Sequence, residues 1–138
     1  MIDDVIARWH GYMDGELPGG LDELLADDVV FYSPVVYTPQ RGKEITTRYL
    51  EAAAAALSGD GAAGESGQGF RYTKQVLAGN TAVLEFETSV HGKYVNGVDI
   101  MSCDHAGKIV EFRVMMRPLQ AIQVVHEEMG RRLTAAAD

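Results

Sequence analysis

Apolar residues recur at helical spacing at the start of the chain, where Val5, Ile6, Trp9 and Met13 follow Asp3 and Asp4. Acidic residues there suit an N-cap and the positive end of a helix dipole, so the spacing predicts a helix over about 3–14. Pro18-Gly19-Gly20 interrupts it, after which Leu21, Leu24 and Leu25 line a short second helix ending near Asp27-Asp28. Val29 to Tyr32 is rich in β-formers and is halted by Pro34, which predicts a short first strand. Gln40-Arg41-Gly42 opens a third helix, with Ile45, Tyr49, Leu50, Ala53 and Leu57 in one stripe and the alanines supplying propensity. Between Ser58 and Gly69 there are five glycines and no large apolar side chain. Burial does not offset backbone entropy in such a segment, so a mobile loop is expected over 58–69.

From Phe70 the period changes to two, and four strand-like runs follow at about 70–78, 81–90, 94–103 and 108–117. Gly79-Asn80, His91-Gly92 and Asp104-His105-Ala106-Gly107 supply the turns between them. Connections this short predict an antiparallel meander, because parallel neighbours need long crossovers. Pro118 stops the last run, and Leu119, Ile122, His126, Met129 and Leu133 fall on one face of a closing helix. Helices segregated from an antiparallel sheet make the predicted class α+β, in one domain spanning 1–138.

Composition narrows the function. Hydrophobic residues are 46% of the chain and charged residues 23%, the proportions of a chain that folds by itself. The net charge of -8 repels phosphate backbones, which argues against nucleic acid as a partner. The single Cys103 cannot form an internal disulfide, and no Cys/His spacing points to a metal or other cofactor. The acidic N-terminus does not read as a signal peptide, so a cytoplasmic location is expected. No membrane span is expected either, since Ala52 to Leu57 falls far short of the roughly 20 residues required.

The element order, with the phrases Leu24-Leu25-Ala26-Asp27-Asp28-Val29-Val30-Phe31 and Gly42-Lys43-Glu44-Ile45, resembles the nuclear transport factor 2-like superfamily. That superfamily includes ketosteroid isomerases, SnoaL-type polyketide cyclases and limonene epoxide hydrolases. The resemblance implies a cone-shaped, cystatin-like fold, in which a curved antiparallel sheet and its N-terminal helices, with a C-terminal helix, enclose an apolar pocket. It also implies a homodimer.

Val98-Asp99-Ile100-Met101, followed by Asp104-His105-Ala106-Gly107-Lys108-Ile109, is similar to the ketosteroid isomerase segment that carries an oxyanion-hole aspartic acid. The resemblance implies that Asp99 is that acid, kept protonated to donate a hydrogen bond to a developing enolate. Strand alternation independently puts Asp99 on one face with Met101 and Cys103, where apolar neighbours would raise its pKa. The competing reading is a satisfied structural carboxyl. Other family features are missing. The isomerase's general base falls at Ser33, ahead of Pro34, and its helix tyrosine falls at Trp9. The Asp-Arg-Asp set of the epoxide hydrolases is not present, as Phe112-Arg113-Val114-Met115 and Leu84-Glu85-Phe86-Glu87-Thr88 hold the arginine without the aspartates.

Trp9 and Tyr12 are candidate pocket walls, and Tyr32 and Ser33 are expected near the pocket mouth. Matched to the isomerase by parity, Phe112, Val114 and Met116 point inward with Met101, while Arg113 points out. Glu85 and Glu87 read as a solvated outer face. His10, His91, His105 and His126 have no visible partner that would orient them as bases, though His10 lies beside Trp9. Such a wall suits a flat, apolar or aromatic small molecule. Three readings remain open: an isomerase-like or cyclase-like enzyme with Asp99 as its catalytic acid, a non-catalytic small-molecule binder, and a protein-interaction module of the nuclear transport factor type.

Overall fold

The structure, a computed structural model, describes residues 1–59 and 69–137. The glycine-rich segment expected to be mobile lies largely outside these residues. The elements are α1 (Ile2–Met13), α2 (Gly20–Leu24), β1 (Leu25–Tyr32), β2 (Gln40–Arg41), α3 (Lys43–Ala56), β3 (Arg71–Ala78), β4 (Thr81–Val90), β5 (Lys93–Cys103), β6 (Ile109–Arg117) and α4 (Leu119–Ala137). The strands form one curved sheet in the order β2-β1-β6-β5-β4-β3. The architecture is the expected α+β, and none of the described helices is long and apolar enough to cross a membrane.

β3 to β6 form the expected antiparallel meander. In β4 the alternation is strict: Ala82, Leu84, Phe86, Thr88 and Val90 are buried, while the residues between them are partly exposed. β1 adds the one parallel pairing, against β6. The long connection that a parallel neighbour requires is supplied by everything from α3 to β5. The core lies on one side of the sheet, where α1 buries Ile2, Val5, Ile6 and Trp9, and α3 and α4 pack on each other beside it.

Three local expectations are corrected. α2 ends at Leu24, and Asp27-Asp28 belong to β1, not to a helix end. The register of β1 against β6 slips between Leu25 and Val30, so both aspartates stay exposed at an irregularity. Asp27 there pairs with Lys43 at 3.3 Å. Second, Gln40-Arg41 does not open α3. These residues form β2 opposite Val30 and Phe31, a long-range pairing without a local signal. Third, α4 buries Ala121, Val125, Glu128 and Met129, while Leu119 and His126 are exposed. A search for apolar positions passes over Glu128. Its charge is buried because His91 in the β4–β5 turn, Arg131 and Arg132 all bond it. These partners, His91 foremost, hold its carboxyl down to about pKa 2.

Gly97 on β5 is set by packing. A Cβ there would come within 2.5 Å of Phe86 Cζ and 2.7 Å of the Met115 carbonyl. The missing side chain lets the Phe86 ring lie across β5, where Phe70 stacks on it at 4.9 Å. Gly97→Ala is therefore expected to destabilise the fold by about 1–3 kcal/mol in urea denaturation. Gly11→Ala on α1, where an added Cβ meets nothing within 4 Å, should leave stability equal or slightly higher.

Candidate functional site

The inner face of the sheet and the helices α1, α3 and α4 line an open-mouthed cavity of about 820 Å³. Small-molecule pockets generally fall between roughly 300 and 1,000 Å³. Most of the wall is apolar: Phe31 of β1, Leu50 and Ala53 of α3, Val114 and Met116 of β6, Val125 and Met129 of α4. Aromatic rings brace the interior. Trp9 lies 5.2 Å from Phe112 and 5.4 Å from Tyr12, and Phe112 is 6.0 Å from Phe31.

One polar chain crosses this apolar wall. Trp9 Nε1 on α1 donates to Tyr72 Oη on β3 at 2.9 Å, and Tyr72 Oη donates to Asp99 Oδ2 on β5 at 2.7 Å. Asp99 and Tyr72 are not direct partners in the sheet: Tyr72 pairs with Phe86 and Asp99 with Leu84, so the tyrosine reaches diagonally over β4. Asp99 is 7% exposed. Burial disfavours its charged form and pushes its pKa up to about 7, although the Tyr72 bond pulls the other way. Burial and the neighbouring Asp99 charge also keep the Tyr72 hydroxyl protonated. Among the described residues Oδ1 of Asp99 bonds no protein group, so the protonated acid has one O–H to offer to the cavity.

Of the candidates read from the sequence, Trp9, Tyr12, Ser33, Phe112, Val114 and Met116 line this cavity with Asp99. Met101 shares the face of Asp99 and is fully buried in the core, but it does not reach the cavity wall. Tyr32 is displaced by parity. It alternates with buried Phe31 and faces a separate shallow depression, where the Arg113 guanidinium lies 3.8 Å from its ring centroid. The Ser33 hydroxyl accepts the Val35 N–H at 3.2 Å, an ordinary turn bond at a strand end.

Tyr72 was not singled out by the sequence reading. Its alternation with Phe70 marks the inward face, but contact with Asp99 two strands away has no local signature. His10 also lines the cavity and, contrary to the sequence reading, has an orienting partner: Gln75 Oε1, 2.7 Å from its Nε2.

No protein-family model matches the sequence, and no curated protein matches it. Solved structures do. A steroid delta-isomerase from Pseudomonas aeruginosa is 33% identical, with 99% of this chain and 93% of that chain covered at a TM-score of 0.86. An uncharacterised protein with a cystatin-like fold from Silicibacter pomeroyi is 28% identical over 96% of this chain and 87% of its own, at a TM-score of 0.80. A nuclear transport factor 2-like protein of unknown function from Mesorhizobium loti is similar at 21% identity over 85% of this chain and 91% of its own, with a TM-score of 0.67.

The raised pKa of Asp99 has a measurable consequence. In the folded chain it keeps its proton to about pH 7, whereas in the unfolded chain it releases it near 3.8. The folded state thus binds the extra proton between these values. The Asp99 contribution to stability is highest below about pH 4, falls by at most about 1.4 kcal/mol per pH unit up to about pH 7, and is then flat. Denaturant titrations from pH 4 to 8 should show this decline in the native protein and a flatter profile in Asp99→Asn. An identical slope in both would remove Asp99 as its source.

Proposed function

The chain belongs to the nuclear transport factor 2-like superfamily, and on that premise we propose that it binds an apolar or aromatic small molecule, with Asp99 donating a hydrogen bond to the ligand's oxygen. The observation that carries this reading is the Trp9–Tyr72–Asp99 chain in the wall of an otherwise apolar cavity. The indole N–H and the phenol O–H are both spent inside the chain, so the carboxylic acid is the donor it leaves for a guest. Such a wall discriminates by shape and by one oxygen, which favours a flat ketone, enol or phenol over a sugar or nucleotide. A neutral acid beside a forming enolate stabilises negative charge in a site with little competing water. This supports proton-transfer chemistry of the isomerase or cyclase kind as the activity. The 33% identical relative, a steroid delta-isomerase, adds polycyclic ketones to the ligand classes worth testing.

The reading extends to a homodimer. On the face of the sheet away from the cavity, Val76, Val83, Val98, Ile100 and Met115 are all at least partly exposed on four successive strands. A second copy is the partner best suited to cover that surface. Light scattering is expected to give twice 15.0 kDa, and a mass of 15.0 kDa would contradict the dimer.

Ligand binding is tested by thermal-shift titration of phenols, steroids and aromatic polyketide-like compounds against the native protein, Asp99→Asn and Asp99→Ala. Stabilisation by phenols or ketones is expected in the native protein. Loss of the charge-capable donor should weaken affinity about tenfold or more in Asp99→Ala, and less in the amide variant, which retains a donor. Equal binding by all three would take Asp99 out of the site. No binding to the native protein across the panel would sink the small-molecule reading and favour the interaction module.

A further inference from the structure

We propose that His10, held by Gln75, is the proton acceptor of this cavity and works opposite Asp99 on a carbon acid whose developing negative charge falls on a single oxygen. The inference rests on the reading that the cavity binds a small molecule. An acid that stabilises an enolate is half of a proton-transfer site, and the other half must take a proton from carbon.

Among the described residues, the titratable side chains of the wall are His10, Tyr12, Asp14, Arg71, Tyr72 and Asp99. Burial raises the Tyr12 and Tyr72 hydroxyls, and Tyr72 already donates to Asp99. Arg71 is a cation paired with Glu87 at 2.8 Å. Asp14 caps the exposed end of α1 at the rim. Asp99 is the acid. His10 is left, with an imidazole ring whose nitrogen lone pair can take a proton.

Its surroundings are built for that task. α1 presents Trp9 and His10 as neighbours: Trp9 bonds the Tyr72 hydroxyl, and the His10 ring meets the Tyr72 ring edge-on at 5.6 Å. The Gln75 carbonyl oxygen faces His10 Nε2 at 2.7 Å. A carbonyl oxygen only accepts, so Nε2 carries the hydrogen and Nδ1 keeps its lone pair. Gln75 is within reach of α1 because the register of β3 slips between Tyr72 and Lys74. Tyr72 opposes Phe86 and Gln75 opposes Leu84, both inward positions of β4. A regular strand would set inward residues two apart, whereas these are three apart. The irregularity therefore aims the Asp99 partner and the His10 partner at the same helix.

The step balances without a co-reactant. The C–H bond of the guest breaks and an N–H bond forms at His10 Nδ1. The electron pair moves to the guest's oxygen, which accepts the hydrogen bond from Asp99 Oδ1. Returning the proton to a different carbon completes an isomerisation.

A nitrobenzisoxazole is the probe. Removal of its ring C–H proton opens the N–O bond and releases a coloured cyanophenolate, so one absorbance trace reports general-base attack with charge arriving on one oxygen. Native protein should accelerate the reaction above an equal concentration of free imidazole, and His10→Ala should lose about a hundredfold or more in kcat. Added imidazole should restore part of that loss, a rescue that a merely structural role would not produce. Gln75→Leu should lower kcat about tenfold with little change in KM, as expected for a positioning residue. Thermal shifts with the cyanophenol product, run on every variant, separate the two levels. Product binding with a rate that His10→Ala leaves unchanged, or with no rate above free imidazole, overturns the role of His10 and leaves the pocket standing. No product binding by the native protein overturns the pocket reading and this inference with it.

Discussion

A carboxyl group cannot be buried in an apolar wall unless its proton stays on or its charge is answered, and Asp99 meets that constraint by protonation with a single hydrogen bond. The donor, Tyr72, comes from an edge strand two positions away in the sheet, and its own oxygen is satisfied by Trp9 of α1. Three distant segments are thereby placed to within hydrogen-bond distance of one another. Any shift of α1 against β3 would leave a buried hydroxyl or carboxyl short of a partner, which costs more than the bond itself contributes.

The chain carries a second nearly buried carboxylate, and the contrast explains the division of labour. Glu128 on α4 is met by His91, Arg131 and Arg132, so it stays ionised far below neutral pH. It ties the last helix to the β4–β5 turn and makes no contact with the cavity. Among the described residues Asp99 has no cation beside it, and burial keeps it protonated to about pH 7. The same functional group thus serves as a structural clamp at one site and as a proton-bearing acid at the other, according to whether cations or uncharged neighbours such as Leu84, Val114 and Tyr72 surround it.

The shape of the cavity follows from sheet details. Gly97 lets the Phe86 ring cross β5, Phe70 stacks on that ring, and Tyr72 meets it edge-on at 6.5 Å. The parallel pairing of β1 with β6 carries Phe31 to Phe112, joining the aromatic interior across the turn of topology. The slip in β3 then brings Gln75 and Tyr72 together to the α1 side. Each device alters the backbone locally and changes which side chains face the cavity.

Much of this was legible in the sequence. The four strand runs from Phe70 onward match the observed strands to within a residue at each end, because alternation and glycine-bearing turns are local signals. Parity put Asp99 on one face with Met101 and Cys103, the face that is buried, and the match of Phe112 to the isomerase set which face of β6 is inward, so that Phe112, Val114 and Met116 line the cavity. Resemblance supplied the fold, and with it the reason to look at Asp99. Tertiary structure decided the rest. The Tyr72–Asp99 bond, the β2 pairing, the burial of Glu128 and the partnership of His10 with Gln75 join residues 9 to 65 positions apart. Period and propensity act over one or two turns of chain. The partner that determines whether a carboxyl is neutral or charged is brought close only when the sheet curves and the helices close over it.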